Sequence, residues 1–159
     1  MQCSQVVIQG NHCITSGEGI DMLLSNNCAI VGNNISGIYG QGIKMLGVSY
    51  CTTSGNFIAD AYQGIGLTYH PTLLAEASGN AVTGNVLRNI GALATVVNWG
   101  GLGAGVDIHD ANQCRYNVAS DNVAVDTQTT KTATSVVRNQ GGATNVVVDN
   151  IFTKSFNQP

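Results

Sequence analysis

Short apolar runs recur along the chain, each closed by Gly-Asn or Asp-Asn and followed by an apolar residue two positions later. The copies are Val7-Ile8-Gln9-Gly10-Asn11, Ala29-Ile30-Val31-Gly32-Asn33, Thr52-Thr53-Ser54-Gly55-Asn56, Ala81-Val82-Thr83-Gly84-Asn85, Val118-Ala119-Ser120-Asp121-Asn122 and Val146-Val147-Val148-Asp149-Asn150. The steps from Asn11 through Asn33, Asn56, Asn85 and Asn122 to Asn150 are 22, 23, 29, 37 and 28 residues. A shortest step near 22 residues is one winding of a β-helix, and the longer steps are that winding with additions. A second marker follows, with Ile20, Ile43 and Ile65 nine to ten residues after the first three asparagines. It reads Gly19-Ile20-Asp21-Met22, Gly42-Ile43-Lys44-Met45 and Gly64-Ile65-Gly66-Leu67, with a delayed fourth copy at Gly105-Val106-Asp107-Ile108.

Alternation within the second marker places Ile20, Ile43, Ile65 and Val106 inward and Asp21, Lys44, Gly66 and Asp107 outward. Two residues after each asparagine, Cys13, Ile35, Ile58, Leu87, Ala124 and Phe152 continue an apolar inner wall. Strands stack at about 4.8 Å, so like side chains at one corner lie over one another, and each asparagine amide can donate to the next. Asparagine also tolerates the left-handed backbone of a tight bend. The pattern predicts an all-β fold, a single-stranded right-handed parallel β-helix: a solenoid of about six three-sided coils with an asparagine ladder. The competing architecture is a β-sandwich with unrelated Gly-Asn hairpin turns, but hairpins need neither the even spacing nor a recurring Gly-Ile strand.

Composition narrows the picture. The chain has 159 residues, of which 9% are charged, with 20 glycines and 43% hydrophobic residues, so a surface of Asn, Ser, Thr and Gln must replace charge. One domain over residues 1–159 is expected. A net charge of −3 with six Lys+Arg offers no footprint for a phosphate backbone and no polybasic membrane patch, so neither nucleic acid nor membrane is an expected partner. No apolar run is long enough to span a bilayer, and Met1-Gln2-Cys3-Ser4-Gln5 lacks the features of a signal peptide; the expectation is a soluble protein made without Sec export. Five cysteines without a Cys-x-x-Cys pair indicate neither a disulfide framework nor a zinc site. Cys28 and Cys51, each five residues before an asparagine, should stack as core thiols in neighbouring coils.

Additions leave a solenoid as loops on one side, here at about residues 69–79 and 89–105. Trp99 lies in the second loop, within Asn98-Trp99-Gly100-Gly101-Leu102-Gly103, where its indole serves either to stack on a sugar ring or a partner surface or to plug the coil edge. Asp107 and His109 alternate on one strand and face the same way, either as an acid/base couple or as a solvated pair, while Asp110 faces oppositely or starts a turn. Outward groups at Glu18, Asp21 and Lys44, with Asp60, Tyr62 and His70 nearby, complete the candidates. Neither a metal nor a cofactor is expected, since the chain has no nine-residue Gly-Gly-x-Gly-x-Asp array and no Asp-x-Asp pair.

With Val-x-Gly-Asn-x-Ile and Gly-Ile-x-Met/Leu repeated from Val7 to Phe152, the chain resembles the pectate-lyase-like superfamily of parallel β-helices, most closely bacteriophage tailspike β-helix domains. The Asp-Asp, Gly-His-Gly and Arg-Ile-Lys signatures of polygalacturonases are absent, as is a lyase calcium-and-arginine cluster, so the resemblance carries fold and not chemistry. It implies a module that binds, and as hydrolase or lyase degrades, a polysaccharide or oligosaccharide along its flank. Asp107, His109 and Asp110 would then lie at the reactive site, with Trp99, Tyr62, Tyr69, His70, Lys44 and Asp21 binding substrate. The alternatives are a non-catalytic receptor-binding or structural module that holds glycan or partner subunits, and an adhesin fragment. The resemblance also implies a homotrimer and a virion tail location, or otherwise an extracellular one. Repeats that begin within ten residues of Met1 without a capping helix lead to the expectation of a piece of a larger spike, or of ends covered by neighbouring subunits.

Overall fold

A computed structural model describes residues 3–92, 103–110, 112–129 and 132–154, apart from the side chain of Lys154. In chain order its strands are β1 (Val7–Gln9), β2 (His12–Ser16), β3 (Ile20–Leu23), β4 (Ala29–Val31), β5 (Asn34–Leu46), β6 (Thr52–Ser54), β7 (Phe57–Thr68), β8 (Ala81–Thr83), β9 (Val86–Arg88), β10 (Ala104–Ile108), β11 (Val118–Ser120), β12 (Val123–Asp126), β13 (Ser135–Asn139), β14 (Val146–Val148) and β15 (Ile151–Lys154). One sheet takes the order β1-β4-β6-β8-β11-β14, and every pairing within it is parallel. The remaining nine strands form a second sheet, joined across its two halves by the long strands β5 and β7, whose register shifts between Ile38 and Gln41. Among the described residues every pairing between strands is long-range and parallel, which excludes the sandwich.

Each short strand follows from its pattern. In the first sheet the middle residues of the four inner triplets, Ile30, Thr53, Val82 and Ala119, are all buried, whereas at the two ends Ile8 is partly buried and Val147 is exposed. In one half of the second sheet Cys13, Ile35, Ile58, Leu87, Ala124 and Phe152 stand opposite one another in register. In the other half the aligned residues are Ile20, Ile43, Ile65, Val106 and Val137. The aligned residues of both halves meet in or against a single hydrophobic cluster.

The recurrent asparagines hydrogen-bond to one another. The Nδ2 groups of Asn11, Asn33, Asn56, Asn85 and Asn122 each donate to Oδ1 of the next, always at 2.9 Å. From Asn33 onward each Nδ2 also donates to a carbonyl of the preceding row, as Asn85 does to Thr53 at 3.0 Å, so a buried amide is satisfied on both sides. One expectation needs correcting: the left-handed residue is not the asparagine but the Gly or Asp before it, as at Gly32 (φ +63°) and Asp121 (φ 57°). Glycine adopts that conformation freely and aspartate tolerates it, which is why those two residues alternate at the position.

A second column stands five residues earlier, where Cys28 and Cys51 are continued by Asn80, Asn117 and Asn145. The Cys28 N–H donates to Cys51 Sγ at 3.2 Å and the Cys51 N–H to Asn80 Oδ1 at 3.0 Å. Asn80 and Asn117 then donate to the next amide at 3.0 and 3.2 Å. The thiols therefore stack as expected, standing in amide positions.

Candidate functional site

Because Ile20, Ile43, Ile65, Val106 and Val137 face the core, the residue after each faces the other way. That outward line runs Asp21, Lys44, Gly66, Asp107, Arg138. Lys44 Nζ and Asp21 Oδ2 pair at 3.4 Å at the surface, an arrangement worth well under ~1 kcal/mol. Gly66 leaves a gap that the Gln41 amide fills; a Cβ there would lie 2.7 Å from Gln41 Cδ. Gln41 Nε2 donates to Gln63 Oε1, and Gln63 Nε2 donates to Asp107 Oδ2 at 2.5 Å. At the other end of this line the Gln41 N–H donates to Glu18 Oε2 at 2.5 Å. Burial raises the Glu18 carboxyl above its ordinary 4.5, outweighing the Gln41 N–H and Lys44, which lower it.

Asp107 is the hub. Arg138 Nε reaches Oδ1 at 2.7 Å and Nη2 reaches Oδ2 at 2.5 Å, the bidentate geometry in which a guanidinium holds a carboxylate most firmly. The hydrogen bond to Asp107 raises the Arg138 pKa further, so the guanidinium stays charged. His109 lies on its solvent side, Nδ1 at 3.5 Å from Asp107 Oδ2 and 3.3 Å from Arg138 Nη2, with 42% of its side chain exposed against 2% for Asp107. The same-facing geometry expected of Asp107 and His109 is therefore present, but the solvated pair is not: both Asp107 oxygens are engaged by the protein. A carboxylate so committed can orient an imidazole, and its bonds to Arg138 and Gln63 make it a poor nucleophile.

The other expected residues are not gathered here. Asp110 follows the end of β10 in a bend, where its Oδ2 accepts the Tyr69 N–H at 2.7 Å. His70 pairs antiparallel with Ala75 to close a turn over residues 71–74, and its Nδ1 accepts the Leu73 N–H at 3.2 Å. Tyr62 is 1% exposed, which corrects its reading as a substrate platform: no face of the ring is open to a ligand. Trp99 and most of the loop at 89–105 lie outside the described residues.

Arg138, Gln63 and Gln41 were not expected from the sequence. Ser135–Asn139 is a fifth copy of the second marker, with Val137 in register with Val106, but it lacks the Gly-Ile signature. It also follows a loop pinned by Asp126, whose Oδ2 accepts the N–H groups of Thr132 and Ala133. Burial opposes ionisation of Asp126, but those bonds and the Gln128 N–H outweigh it and lower its pKa. The gap beside Gly66 was the one available signal for the glutamines.

Parallel strands in register around one apolar cluster, with a polar line on the outer side, define a β-helix protein. Residues 1–152 match the family described as right-handed β-helix region, and the chain belongs to that family. No curated protein and no solved structure shows a significant match to it. Among the described residues no helix is long and apolar enough to cross a membrane, and no group of three or more His, Cys, Asp or Glu side chains is placed to hold a metal ion.

Proposed function

We propose that this chain is a polysaccharide-binding module of the bacteriophage tailspike type that holds a glycan along its flank beside Arg138, Asp107 and His109. Residues 1–159 are then one domain, a closed solenoid of about six coils with an asparagine ladder, within a longer spike or an oligomer. Homotrimer neighbours or adjoining domains cover its ends, in a virion tail or another extracellular setting.

The observation that supports binding is the fixed, charge-balanced cluster on the outer side of β10. Arg138 and Gln63 immobilise Asp107, and His109 stands exposed at its edge. Groups already held in place lose little freedom when a ligand arrives, which favours recognition of sugar hydroxyls. The Lys44–Asp21 pair extends the same line two strands further.

Degradation is the second reading, and His109 favours it. Its Nδ1 lies 3.5 Å from Asp107 Oδ2 and 3.3 Å from Arg138 Nη2, and no described residue bonds its Nε2; in the tautomer that carries its proton on Nδ1 the carboxylate orients the ring and Nε2 is the basic nitrogen. Incubation with capsular and O-antigen polysaccharides tests both, with retention followed alongside reducing ends and unsaturated uronates. Retention without product identifies a binding module. Product lost in folded His109→Ala identifies a depolymerase, and absence of both retention and product overturns the glycan reading.

A further inference from the structure

We propose a second glycan platform at a different place on the molecule: the corner where Tyr50 and Tyr116 present their rings along the helix axis to the pyranose rings of an uncharged oligosaccharide. The proposal rests on the glycan-binding reading above, but not on Asp107 or His109.

Gln5, Asn27, Tyr50, Gly79 and Tyr116 occupy equivalent places, each one residue inside the turn and each with a left-handed backbone (φ 59°, 52°, 57°, 67° and 58°). Their stacking is set by main-chain bonds: Gln5 N–H to Asn26, Asn27 N–H to Ser49, Tyr50 N–H to Ser78 and Gly79 N–H to Arg115, at 3.3, 3.2, 3.0 and 3.1 Å. Glycine takes this conformation without cost and asparagine with little, whereas a bulky side chain is strained in it. Tyrosine is thus a poor choice for folding at Tyr50 and Tyr116. Burial does not compensate, because the two side chains are 68% and 64% exposed. Strain that the fold does not repay is a mark of a surface kept for contact with something else.

The local shape fits a carbohydrate chain. The Tyr50 ring lies over Gly79, with Cδ1 and Cε1 only 2.7 and 2.8 Å from where a Cβ would stand, so the missing side chain makes room for a ring laid along the axis. Tyr116 follows two rows on, about 10 Å away at the usual strand spacing. Two exposed tyrosines in one column, separated by a glycine row, match a polymer that repeats along one direction. The negative face of each ring attracts the electropositive C–H face of a pyranose, and the phenolic hydroxyls can bond sugar hydroxyls. The charged side chains of this corner, Arg115 and Glu76, are paired with each other, which favours an uncharged ligand over a uronate.

The test is affinity electrophoresis of the intact chain in gels containing dextran, mixed-linkage β-glucan or galactomannan, with pectate as an acidic comparison. Melting temperature and size in solution are measured in parallel. Tyr50→Asn and Tyr116→Asn place a residue that accepts the left-handed backbone, so both variants should melt no lower than the parent while losing at least tenfold in affinity for a neutral polysaccharide. Tyr50→Phe should stay within about threefold of the parent. The platform is overturned, with the glycan reading left standing, if the parent is retarded and the asparagine variants are retarded equally, or if only pectate retards it. A loss of self-association in the variants with glycan affinity unchanged would make the tyrosines a subunit contact and overturn it too. No retardation of the parent by any polysaccharide would refute both.

Discussion

Arg138 grips Asp107 from the neighbouring strand across 31 residues of sequence, through parallel bonds of 2.7 and 2.5 Å. Because the Asp107 side chain is 2% exposed, removing its partner strands a charge away from water. Arg138→Met should therefore cost about 3–5 kcal/mol in urea unfolding at pH 7. The double variant Asp107→Leu, Arg138→Met should recover most of that loss, since replacing both members of a buried ion pair by apolar groups is close to neutral. A single variant as stable as the parent would mean that water reaches the carboxylate.

Asn85 sits in the middle of its column, fully buried, and bonds to Asn56, Asn122 and the Thr53 carbonyl. Asn85→Ala leaves several of those groups without partners and should lower stability by about 3 kcal/mol. Asn11→Ala, at the exposed end, should cost less than about 1 kcal/mol. Equal losses at the two positions would show that neighbouring amides do not depend on each other.

Glu18 should make stability depend on pH. Its folded pKa is raised above 4.5, so the folded state binds the proton more tightly than the unfolded state. That contribution is complete below pH 4.5 and is lost as pH rises through the elevated value. Glu18→Gln keeps an acceptor for the Gln41 N–H and carries no charge, so its melting temperature relative to the parent should rise between pH 4 and pH 7. A relative fall over that interval would contradict the assignment.

The cysteines should divide by reactivity. Cys3 is exposed and Cys13 half-buried, while Cys28, Cys51 and Cys114 are buried. Burial pushes the Cys51 and Cys114 thiols up to about 11. At pH 8 only about one in a thousand of such thiols is ionised. A colorimetric disulfide reagent should titrate Cys3 at once and Cys13 more slowly, and should reach the other three only after denaturation. Fast reaction of all five would mean that the core opens.

The spacing of Asn11, Asn33 and Asn56 was enough to expose the parallel architecture, because one side chain recurring at one corner is a signal that local sequence carries undiluted. The inward line from Ile20 to Val106 was legible for the same reason, since period-two alternation places residues on faces. The second column was half hidden, because Cys28 and Cys51 occupy places that later rows give to asparagine. Arg138 was hidden by the Asp126 loop, which shifts β13 out of the interval that the earlier copies set. The burial of Tyr62 was not legible either: alternation assigns a residue to a face but says nothing of what packs over that face. Asp107 and His109 could be paired from their spacing, whereas the arginine and glutamine that fix the carboxylate come from strands brought near only by winding.

The amide column has a sense of direction. From Asn11 to Asn122 each asparagine donates to the higher-numbered neighbour, and from Asn33 to Asn150 each accepts from the lower one, so the side-chain dipoles point the same way and add. Turning one amide over would set two N–H groups against each other on one side and two oxygens on the other, so no member can reverse alone. The column thus acts as a mechanical key: each row admits the next in a single orientation, and a chain threaded one residue out of step would find its amides facing empty backbone.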